Sequence, residues 1–123
     1  MKSLQNLALL WFVLMIWSYA GMALADTAGD VGEIVSVKVN AEGSDDFSAF
    51  EGELVLRRQS DGEEQLYRWG GAACPAKSLT ESQVHLLFDL AATPYMLLTP
   101  FHKPGAGQNV CMVGFVATNR KFL

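Results

Sequence analysis

The sequence predicts a small, mainly β domain with one helix, its elements in the order strand, strand, strand, helix, strand, strand. Three observations predict it. Apolar and polar residues alternate in several short stretches, at the period of a half-buried strand. An Asp-Gly pair, Asp61-Gly62, lies between two of those stretches, where a tight hairpin needs a residue that accepts positive φ. One segment alone switches to helical spacing, and a proline closes it.

In the first strand Val31, Val35, Val37 and Val39 interleave with Ser36, Lys38 and Asn40. Residues 41–46, AEGSDD, form an acidic, turn-rich loop. In the second strand Phe50, Gly52, Leu54 and Leu56 alternate with Glu51, Glu53, Val55 and Arg57. The Asp61-Gly62 turn leads into a third strand over residues 64–69, which makes strands two and three antiparallel neighbours. After Cys74-Pro75 the period changes. Thr80-x-x-Gln83 has the form of a capping box and Ser78-x-x-Glu81 fits as well, so the helix start is open by two residues. Val84, Leu87, Phe88 and Ala91 repeat at i, i+3, i+4 and i+7 as one apolar face, widened by Leu86 and Leu90. Pro94 ends the helix, since it lacks an N–H and disfavours helical geometry at Thr93. Residues 95–101 are the fourth strand. Pro100 within it argues for an edge position or a bulge. A loop over residues 103–109 follows, and a fifth strand over 111–118 precedes the charged Arg120-Lys121.

The N-terminus sets the expected compartment. Lys2 is the first charge, Leu7 to Trp17 is an unbroken apolar run, and Ala23-Leu24-Ala25 precedes Asp26. A basic start, an apolar stretch and an A-x-A exit together read as a secretory signal peptide over residues 1–25. A cut after Ala20 is also compatible, because Ser18 and Ala20 are small. The competing reading is an uncleaved anchor, but the apolar run is about half of the ~20 residues a membrane span needs. Cleavage leaves residues 26–123 as one domain, exported to a periplasm or the medium. The net charge of −4 then becomes one unit more negative through loss of Lys2. An acidic domain is a poor match for nucleic-acid phosphates or an anionic membrane surface, so neither is expected as a partner.

Two cysteines, Cys74 and Cys111, lie in the mature part. Export and an even count favour a disulfide between them. There is no C-x-x-C redox motif, and neither His85 nor His102 has zinc-ligand spacing to a cysteine. A loop of about 37 residues gives the bridge roughly 3–4 kcal/mol in the chain-entropy model. Gly70 and Gly71 let the chain turn sharply from strand three toward Cys74.

The element order resembles the OB-fold, a five-stranded Greek-key barrel with a helix between strands three and four. The resemblance spans nearly the whole mature chain and rests on order, not on a motif. Small exported OB-fold proteins include the B subunits of bacterial toxins, which bind glycans as rings, and this chain is broadly similar in length and layout. A sheet packed on one helix is the other architecture these elements allow. The OB resemblance implies a ligand face on strands two and three, flanked by the loops over residues 41–46 and 103–109. Tyr67 and Trp69 share one side of strand three. With Phe101, His102, Asp45 and Asp46 they are the candidate contacts, and the competing reading of Trp69 is a plug at one end of the barrel. Glu42, Asp45 and Asp46 favour a neutral or basic ligand over a polyanion.

Catalytic chemistry is thin. His85 and Asp89 are four apart on a helix, which reads as a solvated face. Glu51 and Glu53 share a strand side, as a glycosidase pair would, but no further pocket residues accompany them. Gly105-Ala106-Gly107 lacks the setting and the lysine of a phosphate loop. No metal motif, cofactor motif or G-x-S-x-G is present. The expected function is a non-catalytic binding module that contacts a protein or a glycan. An inhibitor or immunity-type protein is the alternative, and a small hydrolase ranks last. The signal reading has a direct check. The exported protein is expected to begin at Asp26 by intact mass, and a full-length species resident in the membrane would contradict it.

Overall fold

The computed structural model describes residues 25–120. The expected signal segment therefore lies outside the described residues except for Ala25. The elements are β1 (Thr27–Ala28), β2 (Gly32–Val39), β3 (Gly52–Arg58), β4 (Glu64–Trp69), α1 (Glu81–Ala92), β5 (Met96–Pro104) and β6 (Val110–Asn119). The strands are ordered β1-β5-β2-β3-β4-β6, and β5 also pairs with β6, so β2 to β6 close into a five-stranded barrel. This is the strand order of the OB-fold, with the helix between its third and fourth barrel strands, as expected. β1 is the addition. The polar lead forms a two-residue strap on β5, with Thr27 opposite His102 and Ala28 opposite Phe101.

Local sequence explains most of the barrel. β3 lies between β2 and β4, and the inward rows meet in register: Ile34, Leu56 and Gln65 form one, Val37, Leu54 and Tyr67 the next. Val35 falls at a register shift between Ile34 and Ser36 and is 42% exposed. It is a bulge residue and no part of the inner row. The β3–β4 turn is wider than a two-residue hairpin, since the Arg58 N–H donates to the Glu63 carbonyl at 2.9 Å. Gly62 takes φ 73° there. Asp61 organises the turn: its carboxylate accepts from the Glu63 N–H at 3.0 Å and from two Arg58 nitrogens at 3.1 and 2.9 Å. These bonds, the backbone one first, hold its carboxyl below the ordinary Asp value.

The helix begins at the Thr80 cap. Thr80 Oγ1 accepts from the Gln83 N–H at 3.2 Å, and Gln83 Oε1 accepts from the Thr80 N–H at 2.9 Å, which settles the start in favour of Thr80 over Ser78. The chain leaves the helix at Thr93, before Pro94. Its buried seam is narrower than the sequence suggests. Leu87 is buried and Val84 and Leu90 pack beside it, whereas Leu86 and Phe88 lie outside at 47% and 46% exposure. A single helix against a barrel end needs only a narrow stripe, so the wider apolar face does not all turn inward.

The core comprises Leu54, Leu56, Tyr67, Trp69, Leu79, Leu87, Leu98 and Met112. Gly52 stands opposite Trp69, and a side chain at that position would collide with the indole. Pro100 is buried on β5 one residue before a register shift between Phe101 and His102, so the bulge expected from a proline in this strand is present.

The Cys74–Cys111 disulfide is formed. Gly70 and Gly71 carry φ 70° and 65°, so the sharp turn leading to Cys74 uses both glycines as expected. The bond lies on the seam where β4 and β6 run parallel with one pairing, Arg68 opposite Cys111. Cys74→Ser is therefore expected to lower stability by roughly 2–5 kcal/mol in denaturant unfolding. An unchanged midpoint would contradict a structural role for the bond.

Candidate functional site

The residues expected on a ligand face divide between the barrel interior and its surface. Tyr67 and Trp69 do share one side of their strand, but that side is the inside: they are 3% and 1% exposed. Strand alternation shows which residues lie together, and burial decides which side faces the core. Loss of a tryptophan so placed costs about 3–5 kcal/mol of packing, so Trp69 is a core residue and not an external stacking platform. The outer face of strands β2, β3 and β4 carries three cross-strand rows instead. They are Glu33–Arg57–Glu64, Ser36–Val55–Leu66 and Lys38–Glu53–Arg68. Its charges are matched within the sheet: Arg68 pairs with Glu53 at 3.3 Å, Arg57 with Glu64 at 3.7 Å.

Asp45 and Asp46 lie exposed in the loop between β2 and β3, with Asp46 at 4.0 Å from Lys38. The loop between β5 and β6 is docked elsewhere. Its Ala106 N–H donates to the Ala73 carbonyl at 2.9 Å, and Arg68 donates to Asn109 Oδ1 at 3.1 Å. Phe101 and His102 are half-buried behind the β1 strap. The His85 side chain lies on an exposed helix surface 3.7 Å from Glu81, with no link to Asp89. Glu51 and Glu53 do not converge. Glu53 is held by Arg68 on the outer face, while Glu51 precedes β3 with its carboxylate over Gly70.

Among the described residues a concave site of about 310 Å³ lies between the end of α1 and the start of β5 and holds none of the expected contacts, while two others take in Trp69 or Tyr67 and His102. The larger of these two, about 490 Å³, lies where the β2–β3 loop meets the start of α1. Val39, Phe47 and Val84 give it apolar walls above the edge of Trp69. Glu42, Glu51 and Glu81 border it. Glu42 and Glu51 have no ion pair among the described residues, although Lys38, Arg57, Arg58, Arg68, Lys103 and Arg120 each face an acid. The cleft thus combines apolar surface with unmatched negative charge. Sequence reasoning found the acidity of this loop but missed Phe47 and Glu81, since nothing local tells that a helix start and a distant loop share a wall.

The smaller site, about 250 Å³, brings together Tyr67 and His102, two of the expected contacts, with Asp30 and Gln65. Their rings lie 5.8 Å apart at 44°. Burial, and then the charge of Asp30, push the Tyr67 phenol above its usual pKa.

Among the described residues no group of three His, Cys, Asp or Glu side chains is arranged to hold a metal ion, and no helix is long and apolar enough to cross a membrane. No protein-family model, curated protein or solved structure matches this chain.

Proposed function

We propose that this chain is a small exported, non-catalytic binding module that contacts a protein, and that its acidic cleft takes a basic side chain of that partner. The observation that carries the proposal is the unmatched pair Glu42 and Glu51 at the rim of an apolar cleft; Asp45, Glu63 and Asp89 also lack an ion pair among the described residues, but none of them lines this cleft. A lysine or arginine suits such a place. Its methylene stem lies along Phe47, Val39 and Val84, and its charged head reaches the carboxylates. The disulfide is in keeping with an oxidising compartment outside the cytosol. The OB-type barrel supplies a rigid frame for this, since the cleft is walled by a capped helix start and by the ends of paired strands.

Tryptophan emission gives a test. Cleavage of residues 1–25 removes Trp11 and Trp17, so Trp69, at the floor of the cleft, becomes the sole tryptophan. Short lysine- or arginine-containing peptides are expected to change its emission saturably, with affinity falling as salt rises. The double variant Glu42→Gln with Glu51→Gln is expected to weaken binding by about tenfold or more, or about 1.4 kcal/mol. No response to either basic peptide, or a response indifferent to salt and to the double variant, would contradict the proposal.

A further inference from the structure

Tyr67 is buried by packing but is not satisfied by it. The residue is 3% exposed, and its hydroxyl has no hydrogen-bond partner among the described residues. No side-chain polar atom fully shut off from solvent lacks a partner there, so this hydroxyl opens onto the space beside it, the slot of about 250 Å³. A hydroxyl held this way is able to hydrogen-bond to a group from outside the chain.

The slot exists because strand pairing stops short. The second edge of β4 is paired at Arg68 alone, and β6 begins only at Val110. Residues 64–67 therefore face a gap in the barrel wall. The far side of the gap is the β1 strap, anchored to β5 by the Gly29 N–H donating to the Pro100 carbonyl at 2.7 Å. Gly29 lets the strap approach closely: a Cβ at that position would lie 2.8 Å from the Tyr67 hydroxyl oxygen, 3.0 Å from Pro100 Cγ and 3.3 Å from His102 Cδ2, so a side chain there would force the strap to shift.

The lining chemistry narrows the ligand. Tyr67 stays a neutral phenol, able to donate and accept. His102 makes no side-chain hydrogen bond among the described residues. Gln65 donates to the Leu66 carbonyl at 3.3 Å and keeps its side-chain oxygen as an acceptor. Asp30 lies 3.7 Å from Arg58, whose guanidinium also donates to Asp61 at 3.1 and 2.9 Å. Asp30 and Arg58 set charges of opposite sign beside the Tyr67 phenol, so neither an anion nor a cation is favoured there, and an apolar ligand would leave the hydroxyl unmet. What suits the slot is an uncharged ligand whose own groups both donate and accept, that is, hydroxyls. The volume is below the roughly 300–1,000 Å³ of sites for drug-sized molecules, which limits the ligand to one small unit.

We infer that the slot between β4 and the β1 strap binds one neutral polyhydroxyl ring, of the size and chemistry of a pyranose, with Tyr67, His102 and Gln65 as its hydrogen-bonding contacts. This site is separate from the acidic cleft and stands whether or not the cleft takes a basic side chain.

The test is a titration of the ¹⁵N-labelled protein followed by two-dimensional NMR. The probes are glucose, galactose, mannose and N-acetylglucosamine, each also as its methyl glycoside, with glycerol as the open-chain control. A site this small is expected to bind with a Kd on the order of millimolar. At least one pyranose should saturably shift the Gly29 amide and the His102 ring protons. Tyr67→Phe keeps the ring that fills the core and removes only the hydroxyl, so the variant should stay folded and bind about tenfold more weakly. Gly29→Ala should weaken binding further by pushing the strap out of place against Tyr67 and Pro100. Binding of the methyl glycosides would mark the end of a glycan chain as the source, and binding of the free sugars alone a free monosaccharide. The inference is overturned if no pyranose shifts these signals, if glycerol shifts them equally, if Tyr67→Phe binds as well as the parent, or if the shifts centre on Glu42 and Glu51.

Discussion

The seam between β4 and β6 carries one strand pairing, Arg68 opposite Cys111, and the Cys74–Cys111 bond lies directly on it. Much of the molecule depends on that arrangement. A barrel must close, and here two parallel strands meet over too short a length for hydrogen bonds to close it firmly. The disulfide ties the turn after β4 to the first turn of β6. Arg68 reinforces the same place by donating to Asn109, pairing with Glu53 and lying 4.4 Å over the Phe50 ring. Ala73 and Phe50 pack around the two sulfurs as a small second core. The loss of local ladder is thus offset by one covalent bond and one well-anchored arginine.

The same short pairing shapes the two sites. Because β6 joins β4 only at its end, the earlier part of β4 faces a gap, and the Tyr67 hydroxyl opens into it. Two residues further along, Trp69 is shut in by the absence of a side chain at Gly52, and its edge forms the floor of the acidic cleft. The two aromatics of one strand therefore support two different surfaces. One is polar, bordered by Asp30, Gln65 and His102, the other apolar and negative. Both rest on strands and on a capped helix start, which favours fixed geometry over loops that must order on binding.

Local patterns carried much of the fold. The alternation in β3, the Asp61-Gly62 turn between β3 and β4, the Thr80 capping box and the glycine pair before Cys74 each act within a few residues and are found where the sequence placed them. The valine alternation of β2, by contrast, is broken by the bulge at Val35 and leaves Val31 and Val39 exposed. What sequence did not carry is set by contacts between distant segments. Period-two spacing put Tyr67 and Trp69 on one side but had no means of saying that the side was the interior. The β1 strap has no pattern of its own and exists because β5 offers it an edge. Phe88 fits a helical stripe, yet the barrel end accommodates only Leu87 and its two neighbours. Of the candidate contacts, Tyr67 and His102 meet at one slot because β5 bulges after Phe101, while Asp45 and Asp46 stay on an exposed loop. Glu42 reaches the acidic cleft only because α1 starts beside the β2–β3 loop.

The claim that one covalent bond closes the barrel at one of its two single-pairing seams is tested most directly by native-state hydrogen exchange on the oxidised and the reduced protein. Reduction is expected to speed amide exchange first at Arg68 and over residues 110–113, while the β2–β3 ladder around Val37 and Leu54 keeps most of its protection. Unchanged protection at Arg68 and Cys111 after reduction, with loss appearing first in β2 and β3, would contradict the account.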